Sequence, residues 1–296
     1  MTDATILVPT FRHPRLLPFA VRSALAQEDA SVEVFVVGDG VEADTRAALE
    51  PFLADPRVYF FDHPKGQRHG ERHRHEALQH AAGQIVCYLS DDDLLLSDHA
   101  TEMQRLLTDA DFAHSAPFIV NTDGSLSFAA IDLSEPNFHS FLLRGRWNKI
   151  VLTGAAHTLD AYRRLPHGWR PAPEDIWTDL YMWRQVLELP GVRARTGTRI
   201  TALHLPEQHR REMSAEEREL ELESWWARMQ EQDFRDDLER MARDELRRTA
   251  VRHELRIQQL KSTLESVQSS RLWRLRTRLA ALPPVRALRE RRSEAR

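Results

Sequence analysis

Apolar residues in the first hundred positions follow two alternating rhythms. Short, continuous runs rich in β-branched or aromatic side chains occur at 5–10 (TILVPT), 32–37 (VEVFVV), 57–62 (RVYFFD) and 84–90 (QIVCYLS), and such runs predict buried strands. Between them the apolar positions fall at helical spacing, as in Leu17, Val21 and Leu25. Strand and helix in alternation predict a mostly parallel sheet with helices over both faces. Ligands of such sheets gather at the carboxyl ends of the strands. Those ends carry Pro9-Thr10, Asp39-Gly40, Asp62-His63 and the run Asp91, Asp92, Asp93.

From about 110 to 205 the pattern loosens into short strands (FIVNTDG, SLSFAAI), an aromatic, Pro-rich stretch (LPHGWRPAPEDIWTD) and a helix near 176–188. This region reads as the second half of the same domain, supplying the acceptor side of a cleft. Between Ser214 and Ser270 there is no Pro or Gly, and Glu, Arg and Leu dominate, which predicts one or more long helices. Leu246, Ala250, Ile257, Leu260, Leu264 and Val267 repeat there at a 4-3 spacing broken only by His253. That seam suits either a coiled-coil partner, including a second copy of the chain, or packing on the chain's own domain.

Length and composition narrow the picture. A chain of 296 residues with 42% hydrophobic content has room for one large α/β domain or two smaller ones, each with a real core. The net charge of −4 is uneven: residues 271–296 hold nine Arg against Glu290 and Glu294, a local +7. This tail interleaves Leu and Trp with Arg up to Pro283-Pro284. It reads as a basic segment lying peripherally on a membrane, as a subunit contact, or as a solvated tail. A single cysteine, Cys87, and the lack of a signal-like or 18-residue apolar stretch point to a reducing, cytoplasmic setting, with any membrane contact on the inner face. No nucleic-acid partner is expected.

Three consecutive carboxylates at a strand tip repel one another and resist losing water unless a cation shares the site. Mg²⁺ or Mn²⁺ takes oxygen ligands and commonly joins one or two carboxylates to substrate phosphates, so the run suggests a metal holding a nucleotide diphosphate. A solvated acidic turn capping the helix that starts near Ser97 is the plainer alternative. Asp39 stands where a base or ribose donor would be read, although Asp-Gly also makes ordinary turns. Arg72 and Arg74 open the helix leading to the Asp strand, where cations meet phosphate. His69, His73 and His75 match no zinc-site spacing.

Four of these stretches, VPTF at 8–11, VVGDG at 36–40, RHEALQHAAG at 74–83 and YLSDDD at 88–93, resemble in order and separation the motifs of family 2 glycosyltransferases. The resemblance covers about residues 4–110 well and 150–205 loosely. It implies a GT-A fold, Rossmann-like with flanking helices, and an inverting transfer from a nucleotide diphosphate sugar, a UDP-sugar first, to an acceptor hydroxyl. Bacterial-type glycan or polysaccharide assembly, with a glycan or lipid-linked glycan acceptor, is the setting it implies. By the same comparison Pro9, Thr10, Asp39, Arg74 and Asp91 would contact the nucleotide, while Asp92 and Asp93 would bind the metal. Asp179 would be the general base, with Asp175 and then Glu174 as alternatives. Gly38 and His75 depart from the family pattern, standing where an Asp and an Asn are common. Trp169, Trp177 and Trp183 suit either sugar-face stacking or the core, and His204 either the diphosphate or an ordinary buried site. The expected organisation is a GT-A domain over 1–210, a helical extension over 211–270 and the basic tail over 271–296. An inactive scaffold of a glycan-assembly complex and a nucleotidyltransferase are the rival readings; the latter lacks the Gly-rich loop expected after the first strand, and no GxGxxG supports a dinucleotide oxidoreductase.

Overall fold

The computed structural model describes residues 2–115, 117–128, 131–271, 273, 275 and 276. The anticipated runs become β1 (Ala4–Thr10), β2 (Val32–Asp39), β3 (Val58–His63) and β4 (Ile85–Tyr88), with α1 (Leu17–Leu25), α2 (Ala43–Leu49) and α3 (Glu71–Leu78) between them. There follow β5 (Leu94–Leu95), α4 (His99–Leu107), β6 (Phe112–His114), β7 (Phe118–Val120), β8 (Leu126–Ser127), α5 (Pro136–Arg144), β9 (Ala155–Thr158), α6 (Leu159–Arg163), α7 (Thr178–Leu187), β10 (Ala194–Thr196), β11 (Ala202–His204), α8 (Ala215–Met229) and α9 (Phe234–Ser269).

Seven strands form the main sheet in the order β10-β6-β9-β4-β1-β2-β3. The pairs β1/β2, β2/β3, β1/β4 and β6/β10 are parallel, and β9 runs antiparallel between β4 and β6. A smaller sheet, β5-β11-β7-β8, stands beside it. The central strands are buried along nearly their whole length because both faces are covered: Ile6, Val8, Val34, Val36 and Cys87 pack in one layer, Leu7, Phe35, Val37, Val86 and Tyr88 in the other. Full burial of each large aliphatic or aromatic side chain is worth on the order of 1.5–3 kcal/mol. Burial also pushes the Cys87 thiol up to about 12, which makes it inert. The buried Glu33 carboxylate is satisfied, accepting from Thr5 Oγ1 (2.5 Å) and from the backbone N–H of Ala82 (2.7 Å) and Gly83 (3.2 Å). Gly83 is there because a Cβ would lie 2.3 Å from the Thr5 nitrogen; this close approach turns the chain from α3 into β4.

Two compact units divide between Ala242 and Arg243, and the expected boundary at 210 falls inside the first. The reason is a third apolar cluster, in which Leu222 and Trp225 of α8 and Phe234 and Leu238 of α9 pack with Leu94, Phe118 and Leu203. A capping box between Ser214 and Glu217 fixes the start of α8. The second unit consists, among the described residues, of the rest of α9 and the few residues beyond it. Most of the basic tail expected over 271–296 lies outside the described residues. Among those described, no helix is long and apolar enough to cross a membrane.

Candidate active site

The carboxyl ends of β1, β2 and β4 open into a cleft of about 1040 Å³, walled on the far side by the 174–179 segment and by His204. It brings together Pro9, Thr10, Asp39, Arg74, Asp91, Asp92, Asp175 and Asp179. A second hollow of about 690 Å³, between α4, α5 and β10, contains none of these residues.

At one end, Asp39 finishes β2 with a buried carboxylate. Its Oδ2 accepts from Lys65 Nζ and its Oδ1 from the Gly66 N–H, both at 2.6 Å, while His73 Nε2 stands 3.6 Å away. Gly70, at φ +69°, opens α3 so close by that a Cβ would meet the Asp39 carboxyl carbon at 2.7 Å. The ring of His73 lies face to face with that of His63, centroids 4.3 Å apart and planes within 5°. His63, His73 and Glu76 each bring a ligand atom within 4.8 Å of the others, but a metal must lie close to each imidazole plane, and parallel stacked rings share no such point.

At the other end the groups are less fully paired. Thr10 Oγ1 is buried without a hydrogen-bond partner, and so are Nε and Nη1 of Arg74. Arg74 is held by donation from Nη2 to the His69 carbonyl (3.0 Å) and by its position over the Trp169 ring (4.7 Å). Its Nη1 lies 3.9 Å from Asp179 Oδ1. Thr178 Oγ1 donates to the fully buried Glu71 (3.0 Å), tying the start of α7, which presents Asp179, to that of α3, which presents Arg74. Burial raises the Asp179 carboxyl above its ordinary range, and the Arg74 charge opposes that shift. Asp175 and Glu174 line the cleft on the exposed side.

The three consecutive carboxylates have different surroundings. Asp91 Oδ1 pairs with His13 Nδ1 at 2.8 Å. Burial disfavours the charged imidazole, but the Asp91 hydrogen bond and the nearby carboxylates outweigh it and carry His13 up to about 9. Asp92 Oδ2 accepts from Arg218 Nη2 of α8 at 2.8 Å. Burial, then the charges of Asp93 and Asp91, raise Asp92 to about 7 against the pull of His13 and Arg218. Asp93, expected as a metal ligand, is instead fully buried and outside the cleft lining. Its Oδ1 accepts the Leu205 N–H (2.7 Å), and its Oδ2 accepts from Thr153 Oγ1 and His204 Nδ1 (2.8 Å). It therefore anchors β11 and the 153 loop to the strand tip, and it correspondingly favours a charged His204, which burial alone would disfavour.

The tryptophans also sort by environment. Trp169 and Trp183 are core residues, donating to the Tyr88 hydroxyl (2.9 Å) and the Ile150 carbonyl (3.0 Å), and neither ring is free for a sugar. Trp177 is 63% exposed and lines the cleft. Three basic cleft residues, and one arginine that reaches Asp92 from α8, carry no mark in the sequence reading. His13, Lys65 and Arg68 sit in short basic loops after β1 and β3, where a cation beside a strand-end carboxylate was the available signal. Arg218 lies in a helix whose Glu and Arg look like any solvated face.

A family model described as Glycosyl transferase family 2 matches residues 5–167. The chain belongs to that family. Its described relatives include the GalNAc(5)-diNAcBac-PP-undecaprenol beta-1,3-glucosyltransferase of Campylobacter jejuni, 26% identical over 129 residues, which are 43% of this chain and 41% of that protein. Succinoglycan biosynthesis protein ExoO of Rhizobium meliloti is 31% identical over 121 residues, 41% of this chain and 33% of its own. The matches thus span less than half the length of either relative. Among solved structures, S. aureus TarS 1-349 in complex with UDP-GlcNAc superimposes with a TM-score of 0.55 at 15% identity, over 69% of this chain and 59% of that one. That likeness is one of fold, and the family 2 chain has the GT-A-like arrangement of a mostly parallel sheet flanked by helices.

Proposed function

We propose that this family 2 chain transfers a sugar from a nucleotide diphosphate sugar, a UDP-sugar first, to an acceptor hydroxyl with inversion at the anomeric carbon. The observation that carries the reading is the convergence in one cleft of Asp39, Arg74, Asp91, Asp92 and Asp179, drawn from two strand ends and two helices. The UDP-GlcNAc bound by the TarS structure supports the choice of base, and the undecaprenol-linked substrate in the name of the Campylobacter relative supports a lipid-linked glycan as acceptor. The setting proposed is glycan assembly in the cytoplasm at the inner face of a membrane.

In this reading Asp39 meets the base, Pro9, Thr10 and Asp91 the nucleoside, and the unpartnered Arg74 nitrogens the diphosphate. The donors suit a hard divalent cation: Asp92 faces the cleft, and His204 is oriented by Asp93 through Nδ1, which leaves Nε2 as the ligand atom with a carboxylate behind it. Asp92 and His204 would hold Mg²⁺ or Mn²⁺, with Asp91 beside them and Asp93 behind. When bound, the ion would offset charge on the departing diphosphate. Arg218 and His13 pair with Asp92 and Asp91. Asp179 accepts the proton of the acceptor hydroxyl as that oxygen attacks the anomeric carbon and the bond to the diphosphate breaks. Asp175 is the next candidate for that role, and Trp177 for contact with the sugar face.

Incubating the full chain with UDP-sugars and Mn²⁺, with and without a glycan acceptor, tests this. Release of UDP with an inverted anomeric bond in the product is expected. Absence of turnover with every nucleotide sugar would favour an inactive scaffold, and release of pyrophosphate from a nucleoside triphosphate a nucleotidyltransferase.

A further inference from the structure

The exposed seam of α9 belongs to no part of the proposed reaction. Leu246, Ile257, Leu260, Leu264 and Val267 are 56, 44, 52, 55 and 46% exposed, and Ala250 and His253 between them are exposed as well. Large aliphatic side chains at a 4-3 spacing over three turns or more make a coiled-coil stripe. Val251 and Leu255, also exposed, lie on the opposite side of the helix. With Leu246, His253, Leu260 and Val267 as d positions and Ala250, Ile257 and Leu264 as a positions, the e positions are Arg247, Glu254, Lys261 and Gln268. The g positions are Thr249, Arg256, Thr263 and Ser270.

We propose that this seam is covered by the same seam of a second copy of the chain, running antiparallel. Charge complementarity selects both partner and direction. In a parallel pair each g residue meets the e residue five positions on, so Arg256 would face Lys261 of the other copy, twice, and no g–e pair would be attractive. In an antiparallel pair e faces e and g faces g. The register that sets Ile257 against Leu260 then places Glu254 beside Lys261 of the other copy, twice, and Arg256 beside Thr263. Shifting that register by one heptad either way brings Glu254 against Glu254 and Arg247 against Lys261, or Lys261 against Lys261. The same register sets the small Ala250 against Val267 and His253 against Leu264, whereas a parallel pair stacks alanine on alanine. A partner of uniform charge or a membrane would gain nothing from this alternation of Arg247, Glu254 and Lys261.

Sedimentation equilibrium of the full chain is expected to show a monomer–dimer equilibrium. Lys261→Glu should weaken the dimer on the order of tenfold, since both cross-helix pairs become Glu against Glu, and Glu254→Lys with Lys261→Glu should restore it. Because the native Cys87 is buried, introduced cysteines report the direction. Ala250→Cys or Val267→Cys alone should not cross-link under oxidation, as like positions would stand ~25 Å apart along the axis, while the double variant should give a covalent dimer. Tightening by Lys261→Glu, or cross-linking of either single variant, would overturn the antiparallel assignment. A chain that stays monomeric, or that gathers on anionic vesicles in proportion to exposure of the seam, would overturn the proposal altogether.

Discussion

The two ends of the cleft differ in how much of their chemistry is completed before any ligand arrives. Around Asp39 the carboxylate already has Lys65 and the Gly66 amide, and Gly70 lets α3 close against it. Around Arg74, Thr10, Asp92 and Asp179 the protein keeps buried polar atoms without partners and carboxyls shifted upward by burial. Burying such groups costs stability, and the rest of the fold offsets that cost. The first end behaves as a preformed socket. The second behaves as a place where an anion, a cation and a proton are still to come, as expected of the end where bonds change.

The sharpest way to separate anchoring from chemistry compares neighbours. Asp93→Ala should cost ~3 kcal/mol or more, because it strips partners from Thr153, His204 and the Leu205 amide at a fully buried site; urea unfolding of the ligand-free protein measures it. Asp179→Asn should instead leave the fold and nucleotide affinity intact and lower transfer by roughly 10²-fold. An unchanged rate would hand the role to Asp175 or Glu174.

The pH dependence sharpens the same contrast. Asp179 must be ionised to accept a proton, and burial places its titration above the ordinary carboxylate range. Transfer should therefore fall as pH drops through that raised value. Arg74→Met removes the opposing charge, so the acid limb should move to higher pH, while affinity for UDP falls about tenfold or more with the loss of a charge-assisted donor. An acid limb that stays in place would uncouple the two residues. The folded protein holds the Asp179 proton more tightly than the unfolded chain, so this group's contribution to stability declines as pH rises through the same range. Smallest in effect, Thr10→Val should leave thermal stability unchanged, since its hydroxyl has no partner to lose, and weaken UDP binding only a fewfold.

Much of the cleft was legible in the sequence because many of its residues lie at or beside the ends of strands whose apolar runs are continuous. Thr10, Asp39, Arg74 and the Asp run needed only strand, helix and direction to be placed together. Asp93 was misjudged because its partners Thr153, His204 and Leu205 come from 60 to 112 positions away, across the loosely patterned region. Trp169 and Trp183 suit a sugar platform or the core from sequence alone, and the N–H bonds to the Tyr88 hydroxyl and the Ile150 carbonyl place both in the core. Arg218 was invisible for a similar reason: nothing in a Glu- and Arg-rich helix marks the one guanidinium that reaches Asp92.

The measurement that bears most directly on the cleft is UDP binding by isothermal titration calorimetry, in EDTA and in Mn²⁺, to the native chain and to Asp92→Asn. The proposed site requires tight binding to the native chain only with Mn²⁺, and a loss of that difference in Asp92→Asn with the thermal transition preserved. Equal affinity with EDTA and with Mn²⁺ in the native chain would contradict it and leave Arg218 and His13 as the permanent counter-charges of the Asp run.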